Sequence, residues 1–206
     1  MDYSQKIDEI MQKMQRVLPH KRFVHSIGVG YFATSIAMAY GKNSEKAMLA
    51  GLLHDCAKCL SEKEILKQCM DNKILVNELE RQQPFLLHGK LGAWHAKHKY
   101  GIKDKKILTA IEFHINGKPA MCFLEKCIYL ADYLELGRKH PAEPSLDTLR
   151  QLAFQDLDLA VYYVAKNTVS YLEDGGMPDG VKMDLSSLAT LKYYEQLLRE
   201  QGKLDL

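Results

Sequence analysis

The sequence lacks the features by which secreted, membrane-bound and nucleic-acid-binding proteins are recognised. No apolar run approaches the roughly 20 residues that a membrane-spanning helix needs, and residues 1–6 carry no apolar signal region. The formal net charge is only +2, which gives no general attraction to nucleic acid or to an anionic membrane. Five cysteines, an odd number without an export signal, indicate reduced thiols. We therefore expect a soluble cytoplasmic protein without a membrane or nucleic-acid partner.

Strand-like alternation of apolar and polar residues, internal repeats and low-complexity linkers are absent as well. Apolar residues instead recur every three or four positions, which is the spacing of amphipathic helices. The length of 206 residues suits one domain with a sizeable core. These features predict an all-α fold, with a single helical-bundle domain over residues 1–206. We expect its functional core at about 20–140 and C-terminal helices at about 145–206.

Proline, glycine and capping residues mark the ends of the expected helices. The pattern predicts, in order, a helix from Arg22 to Tyr40, a third helix capped by Ser44, a fourth that starts at the capping box Ser61–Glu64, a later helix with Pro119 in its first turn, and one long helix from Ser145 to Val169. The segment Gly175–Gly180 is predicted to be a turn-rich loop.

An adjacent histidine and aspartate, His54 and Asp55, follow an apolar helical run. Together they offer a metal an imidazole and a carboxylate from one turn of backbone. Such a dipeptide occurs by chance, but His25 lies in the helix before it and Asp132 ends an apolar helix after it. His25 by itself is better explained as a hydrogen-bonded core histidine. A carboxylate on an apolar helix, however, needs a cationic partner, which a metal supplies.

Two imidazoles and two carboxylates suit iron, manganese or zinc better than calcium, and the set lacks the thiolates of structural zinc sites. An open coordination position on such a metal activates water. Lys58 follows Asp55 by three residues, and Arg138 begins the loop after Asp132. Both are fixed cations suited to phosphate oxygens. Metal, activated water and cations together indicate a hydrolase of phosphoesters or phosphoanhydrides.

A Cys-x-x-Cys pair, Cys56 and Cys59, lies within the same link. Redox and zinc roles are the functional alternatives, but no strand precedes the pair and no second Cys-x-x-Cys exists in the chain. We therefore interpret these cysteines as small buried thiols.

The order His25, His54-Asp55, Asp132 is the pattern of the HD-domain metal phosphohydrolases, which the chain resembles. Five blocks narrow the resemblance to the YqeK family, and they span most of the chain from Arg22 to Arg138: Arg22–Val29, Ala50–Lys58, Leu87–Gly89, Ala110–His114 and Tyr129–Arg138. The resemblance implies an iron-dependent, symmetrical bis(5′-nucleosyl)-tetraphosphatase that splits diadenosine tetraphosphate into two ADP by attack of a metal-bound water. Manganese, zinc and magnesium are alternative cofactors, and the resemblance allows a homodimer.

The resemblance also implies roles for individual residues. The implied metal ligands are His25, His54, Asp55 and Asp132. The implied catalytic residues are Asp55, His54 and Lys58. The implied substrate-binding residues are Arg22, Lys58, His88, His114 and Arg138. His88 and His114 are alternatively candidates for a second metal site.

The chain departs from the family pattern at several positions, which include Cys59, Ile115, Asn116, Lys118 and Leu136. Lys118 stands where the family has an arginine, so we expect a point charge in place of a bidentate fork. Two other functions share the same motif and stay open. One is an HD-type nucleotidase that acts on nucleoside monophosphates, and the other is a nucleotide-binding regulatory module without catalysis.

Overall fold

A computed structural model describes residues 3–174 and 185–204, and all regular structure within them is helical. The all-α prediction is therefore confirmed. The helices are α1 Tyr3–Val17, α2 His20–Ala39, α3 Ser44–Leu53, α4 Glu62–Asp71, α5 Glu78–Gln82, α6 His88–His98, α7 Lys105–Glu112, α8 Phe123–Leu134, α9 Leu146–Leu152, α10 Leu157–Glu173 and α11 Leu185–Glu200, with a 3₁₀ turn at Pro84–Leu87 before α6. None of them is both long enough and apolar enough to cross a membrane.

The core is built around α2, which packs against α3 and α8. Gly30 of α2 and Gly51 of α3 let the two backbones touch, because a Cβ atom on Gly51 would lie 2.5 Å from the Cα atom of Gly30. The close approach brings His25 of α2 beside His54 at the end of α3, with ring centroids 5.2 Å apart. Any side chain at Gly51 would separate the helices that carry these two imidazoles.

The capping box at Ser61–Glu64 is confirmed, but two predicted helix starts are wrong. Asn43 caps α3 in place of Ser44, because its side chain accepts a hydrogen bond from the Lys46 amide at 2.7 Å. Helix α8 begins at Phe123, beyond Pro119, where the Glu125 carboxylate accepts from the Cys122 amide.

The long helix predicted from Ser145 to Val169 is in fact two helices, α9 and α10. The side chain of Asp156 accepts hydrogen bonds from the amides of Asp158 and Leu159, and so caps a new helix inside the predicted one. The predicted loop Gly175–Gly180 lies outside the described residues.

Candidate metal centre

The four candidate metal ligands come from three helices and meet in one buried cluster. His25 lies on α2, His54 caps the end of α3 with Asp55 after it, and Asp132 lies on α8. His25 Nε2 is 3.0 Å from Asp132 Oδ1, and His54 Nε2 is 3.5 Å from Asp55 Oδ2 and 3.7 Å from Asp132 Oδ1. The cluster contains three overlapping groups of three residues, and within each group the ligand atoms lie within 4.8 Å of one another. Two of the groups include His114.

Backbone carbonyls set the orientation of three of the imidazoles. His54 Nδ1 donates to the Gly51 carbonyl at 2.7 Å, and His114 Nδ1 donates to the Ile111 carbonyl at 2.7 Å. His88 does the same with Phe85 at 2.5 Å. Each histidine uses the carbonyl three residues before it. His54 and His114 follow the ends of α3 and α7, where the last carbonyls lack helical partners, and His88 follows the 3₁₀ turn and begins α6. Since a carbonyl only accepts, each Nδ1 carries a hydrogen, so in the neutral form of each ring it is Nε2 that turns a lone pair to the cluster.

The inward-facing nitrogens fit a metal ion. His88 Nε2 and His114 Nε2 are 3.2 Å apart, and His54 Nε2 is buried without a hydrogen-bond partner among the described residues. Two lone pairs that face each other repel unless a cation lies between or beside them. An unsatisfied buried nitrogen is likewise costly unless an ion takes it up. The donor set therefore has the chemistry of a site for a divalent metal.

The two carboxylates are held in the ionised form that metal ligation needs. Burial by itself would raise the pKa of Asp55, but the positive charge of a protonated His54 and the contacts of the Asp55 oxygens with His114 and His88 hold it well below its usual range. Burial would raise the pKa of Asp132 as well, and the hydrogen bond with His25 together with the charge of His54 lowers it. Burial lowers the pKa of His88 to about 4, so this imidazole is neutral near pH 7.

Three of the predicted phosphate-binding cations lie at the edge of this cluster. Arg22 Nη1 is 2.6 Å from Asp55 Oδ2, and Arg138 Nη2 is 2.5 Å from Asp132 Oδ1. Lys58 Nζ lies 3.2 Å from His88 Nε2. Lys118, in contrast, forms a 3.1 Å ion pair with the carboxylate of Glu125, which neutralises its charge.

One residue of the site was missed in the sequence, the buried carboxylate of Glu135. Its Oε1 lies 3.1 Å from His25 Nδ1, and its Oε2 accepts from the Gly137 amide at 2.6 Å. Gly28 and Gly137 make room for it, because a Cβ atom on either would lie within 3.0 Å of a Glu135 oxygen. Glu135 thus orients His25 as the carbonyls orient the other imidazoles. The available signal was a carboxylate three residues after Asp132 and two residues before Gly137.

We expect Glu135→Gln to weaken metal binding about ten- to hundredfold, the range seen when an outer partner of a ligand histidine is lost. The amide keeps the shape of the side chain but removes the negative charge that holds the His25 ring. Competition with a chelator measures the metal affinity. The matched control is Glu125→Gln, because Glu125 is also buried but binds Lys118 and the Cys122 amide instead. Equal metal affinity in the two variants would contradict a positioning role for Glu135.

The cysteines are free thiols, but the prediction that Cys56 and Cys59 are buried is wrong for Cys59, which is exposed. Cys56 Sγ donates to the Gly92 carbonyl at 3.5 Å. Burial raises the pKa of Cys56 to about 12, so it remains a protonated thiol, which is a poor metal ligand.

Replacing Cys56 and Cys59 together with alanine is accordingly expected to leave metal content and turnover nearly unchanged. Metal analysis and steady-state kinetics of the double variant are the measurements. A large loss of either quantity would restore a functional role to the Cys-x-x-Cys pair.

Comparisons with known proteins agree with this geometry. The family model of the HD domain matches residues 22–137. A symmetrical bis(5′-nucleosyl)-tetraphosphatase of Bacillus subtilis (strain 168) is 36% identical over 83% of this chain and 90% of its own length. A protein of the same description from Halalkalibacterium halodurans is 36% identical over 91% of this chain and 96% of its own length. The crystal structure of a predicted HD superfamily hydrolase involved in NAD metabolism, from Clostridium acetobutylicum, has a TM-score of 0.85 and 36% identity, with 92% of this chain and 97% of that one covered.

Proposed function

The chain belongs to the HD domain family, and on that premise we propose that it is a metal-dependent hydrolase that cleaves diadenosine tetraphosphate symmetrically into two ADP. The observation that carries the proposal is the buried cluster of imidazoles and carboxylates with cations at its edge. The symmetrical tetraphosphatases that this chain resembles over most of its length supply the substrate and the position of cleavage.

We assign the metal to His25, His54, Asp55 and Asp132, and iron is the ion proposed. Manganese, zinc and magnesium are the alternatives, because the mixture of imidazole and carboxylate ligands accepts several divalent ions. When bound, a divalent metal acts as a Lewis acid that polarises phosphoryl oxygens and activates water.

The surrounding side chains of this chain bind and orient the reactants. Asp55, ionised and in the centre of the cluster, accepts a hydrogen bond from the attacking water and orients it in line with the scissile bond. Arg22, Lys58 and Arg138 bring positive charge to the phosphoryl oxygens and to the departing ADP. Burial lowers the pKa of Lys58, yet neighbouring Asp55 and Asp132 favour its charged form.

His88 and His114 have two alternative roles, as hydrogen-bond partners of phosphate or as ligands of a second metal. Asp55 Oδ1 lies 3.3 Å from His88 Nε2 and 3.6 Å from His114 Nε2, whereas Asp55 Oδ2 faces His25 and His54. The two oxygen atoms of this carboxylate thus face two different groups of imidazoles, and such an arrangement would suit a ligand shared by two metal ions. Two metal ions per chain in the purified protein would favour the second role, and one ion would favour the first.

Product analysis on a small nucleotide panel tests the proposal. Diadenosine tetraphosphate with added metal is expected to yield only ADP, and a chelator is expected to stop the reaction. Release of inorganic phosphate from nucleoside monophosphates would identify an HD-type nucleotidase instead. Tight nucleotide binding without any turnover would identify a regulatory module.

A further inference from the structure

Two cavities adjoin at Arg138, and each has a candidate metal ligand in its wall. The first, here called the cationic cavity, has a volume of about 600 Å³ and includes Lys21, Arg22 and His25 in its lining. Lys21, Arg22 and Arg138 bring three cations to it against the single carboxylate of Glu135. This lining attracts phosphate groups, and none of its residues in the described part of the chain is a tyrosine, phenylalanine or tryptophan on which a base could stack.

The second, here called the aromatic cavity, has a volume of about 780 Å³ and opposite properties. Among residues 3–174 and 185–204, its charged lining groups are two carboxylates and one cation, which give no net attraction for phosphate. Rings make up much of its wall instead. The carboxylates are Asp132 and Glu143, the cation is Arg138, and the rings belong to Tyr133, His140 and Tyr171.

Contacts among its lining residues hold the wall of the aromatic cavity together. Asn167 of α10 accepts from the Glu143 amide at 2.9 Å and donates to the Glu143 carbonyl at 3.0 Å. These two hydrogen bonds fix the loop between α8 and α9 to α10. Tyr133 and His140 meet edge to face with ring centroids 4.3 Å apart. Tyr171 is 60% exposed and keeps a ring surface available for stacking.

Resting on the function proposed above, we propose that the two halves of the substrate are recognised differently. The aromatic cavity binds one nucleoside by stacking its neutral base on tyrosine. The cationic cavity holds the phosphates of the other half by charge and does not read its base. Arg138, which lines both cavities, lies where the two halves join.

The proposal predicts that one nucleoside is sufficient for turnover. Adenosine 5′-tetraphosphate has the same four phosphates with a single nucleoside. Water oxygen forms a bond to phosphorus at the second anhydride linkage from adenosine, the bridging P–O bond breaks, and ADP and pyrophosphate leave with release of one proton. We expect kcat/KM for this compound to be about half of that for diadenosine tetraphosphate, since the symmetrical substrate can bind in either of two orientations.

The decisive variant is Tyr171→Ala, with Tyr31→Ala as its matched control. Tyr31 is similarly exposed, at 57%, but lies on α2 and lines neither cavity. Loss of the stacking ring is expected to lower kcat/KM about ten- to hundredfold for both nucleoside substrates. Hydrolysis of inorganic tetraphosphate, which has no base, is expected to be unchanged. Calorimetry adds a readout without turnover, in which Tyr171→Ala weakens ADP binding and leaves pyrophosphate binding unaltered.

Wild-type kinetics and wild-type ADP affinity in Tyr171→Ala would overturn the proposal. A loss of kcat/KM in this variant that is as large for inorganic tetraphosphate as for the nucleoside substrates would overturn it as well. With the wild-type protein, a kcat/KM about ten- to hundredfold lower for adenosine 5′-tetraphosphate than for diadenosine tetraphosphate would show that both bases are recognised. Failure of the proposed function is distinguishable, because a wild-type protein without tetraphosphatase activity still reports on the aromatic cavity through ADP and pyrophosphate binding.

Discussion

Replacing Asp132 with alanine is expected to empty the metal site and to abolish hydrolysis while the helices remain folded. Asp132 Oδ1 lies within 3.0 Å of His25 Nε2 and 3.7 Å of His54 Nε2, so it supplies the carboxylate between two imidazoles. Its removal also leaves Arg138 without its ion-pair partner, which places an uncompensated cation beside the site. The loss of metal affinity should exceed the ten- to hundredfold that an outer partner of a ligand produces.

Metal analysis after dialysis, turnover with saturating metal and circular dichroism together test this expectation. Asp158→Ala is the matched control, because Asp158 has nearly the same side-chain exposure, 26% against 24%, and also pairs with a basic side chain, that of Lys126. The control should keep its metal and its activity. Full metal content in Asp132→Ala would remove this residue from the ligand set and leave the assignment to His25, His54 and Asp55.

The parts of the site that could be predicted are those whose signal lies within a few residues. His54 and Asp55 are adjacent, and a helix that ends at His54 necessarily presents them together. The capping box at Ser61–Glu64 is equally local, since the side chain of each end residue accepts from the backbone amide of the other. Family resemblance then linked this local motif to His25 and Asp132, which are far apart in the chain.

The parts that escaped prediction depend on contacts between distant segments. The touching backbones at Gly30 and Gly51 explain why His25 reaches His54, yet neither glycine has a signal of its own. Glu135 resembles any carboxylate at a helix end until His25 is placed beside it by the packing of α2 on α8. The break between α9 and α10 depends on the side chain of Asp156, which competes with a continuing apolar pattern.

Replacing Arg138 with alanine is expected to separate phosphate binding from metal binding. The guanidinium has no lone pair and cannot ligate a metal. In the structure it donates to Asp132, through Nε to the carbonyl at 2.7 Å and through Nη2 to the carboxylate at 2.5 Å. If Asp132 held a metal through its carboxylate, one edge of the planar guanidinium would be available to a phosphate oxygen. A hydrogen bond of this charged kind contributes about 1.5–3 kcal/mol, which corresponds to about ten- to a hundredfold in kcat/KM.

Arg138→Ala should therefore keep its metal and lose kcat/KM on diadenosine tetraphosphate by about ten- to a hundredfold. Arg138→Lys should recover only part of that loss, because an ammonium group lacks the planar fork. Lys139→Ala is the control for charge alone, since it removes the neighbouring exposed cation. Wild-type kinetics in Arg138→Ala would show that the guanidinium does not contact substrate. A loss of metal in the same variant would instead assign Arg138 to holding Asp132 in place, since the ion pair between them would then be what keeps the ligand carboxylate oriented.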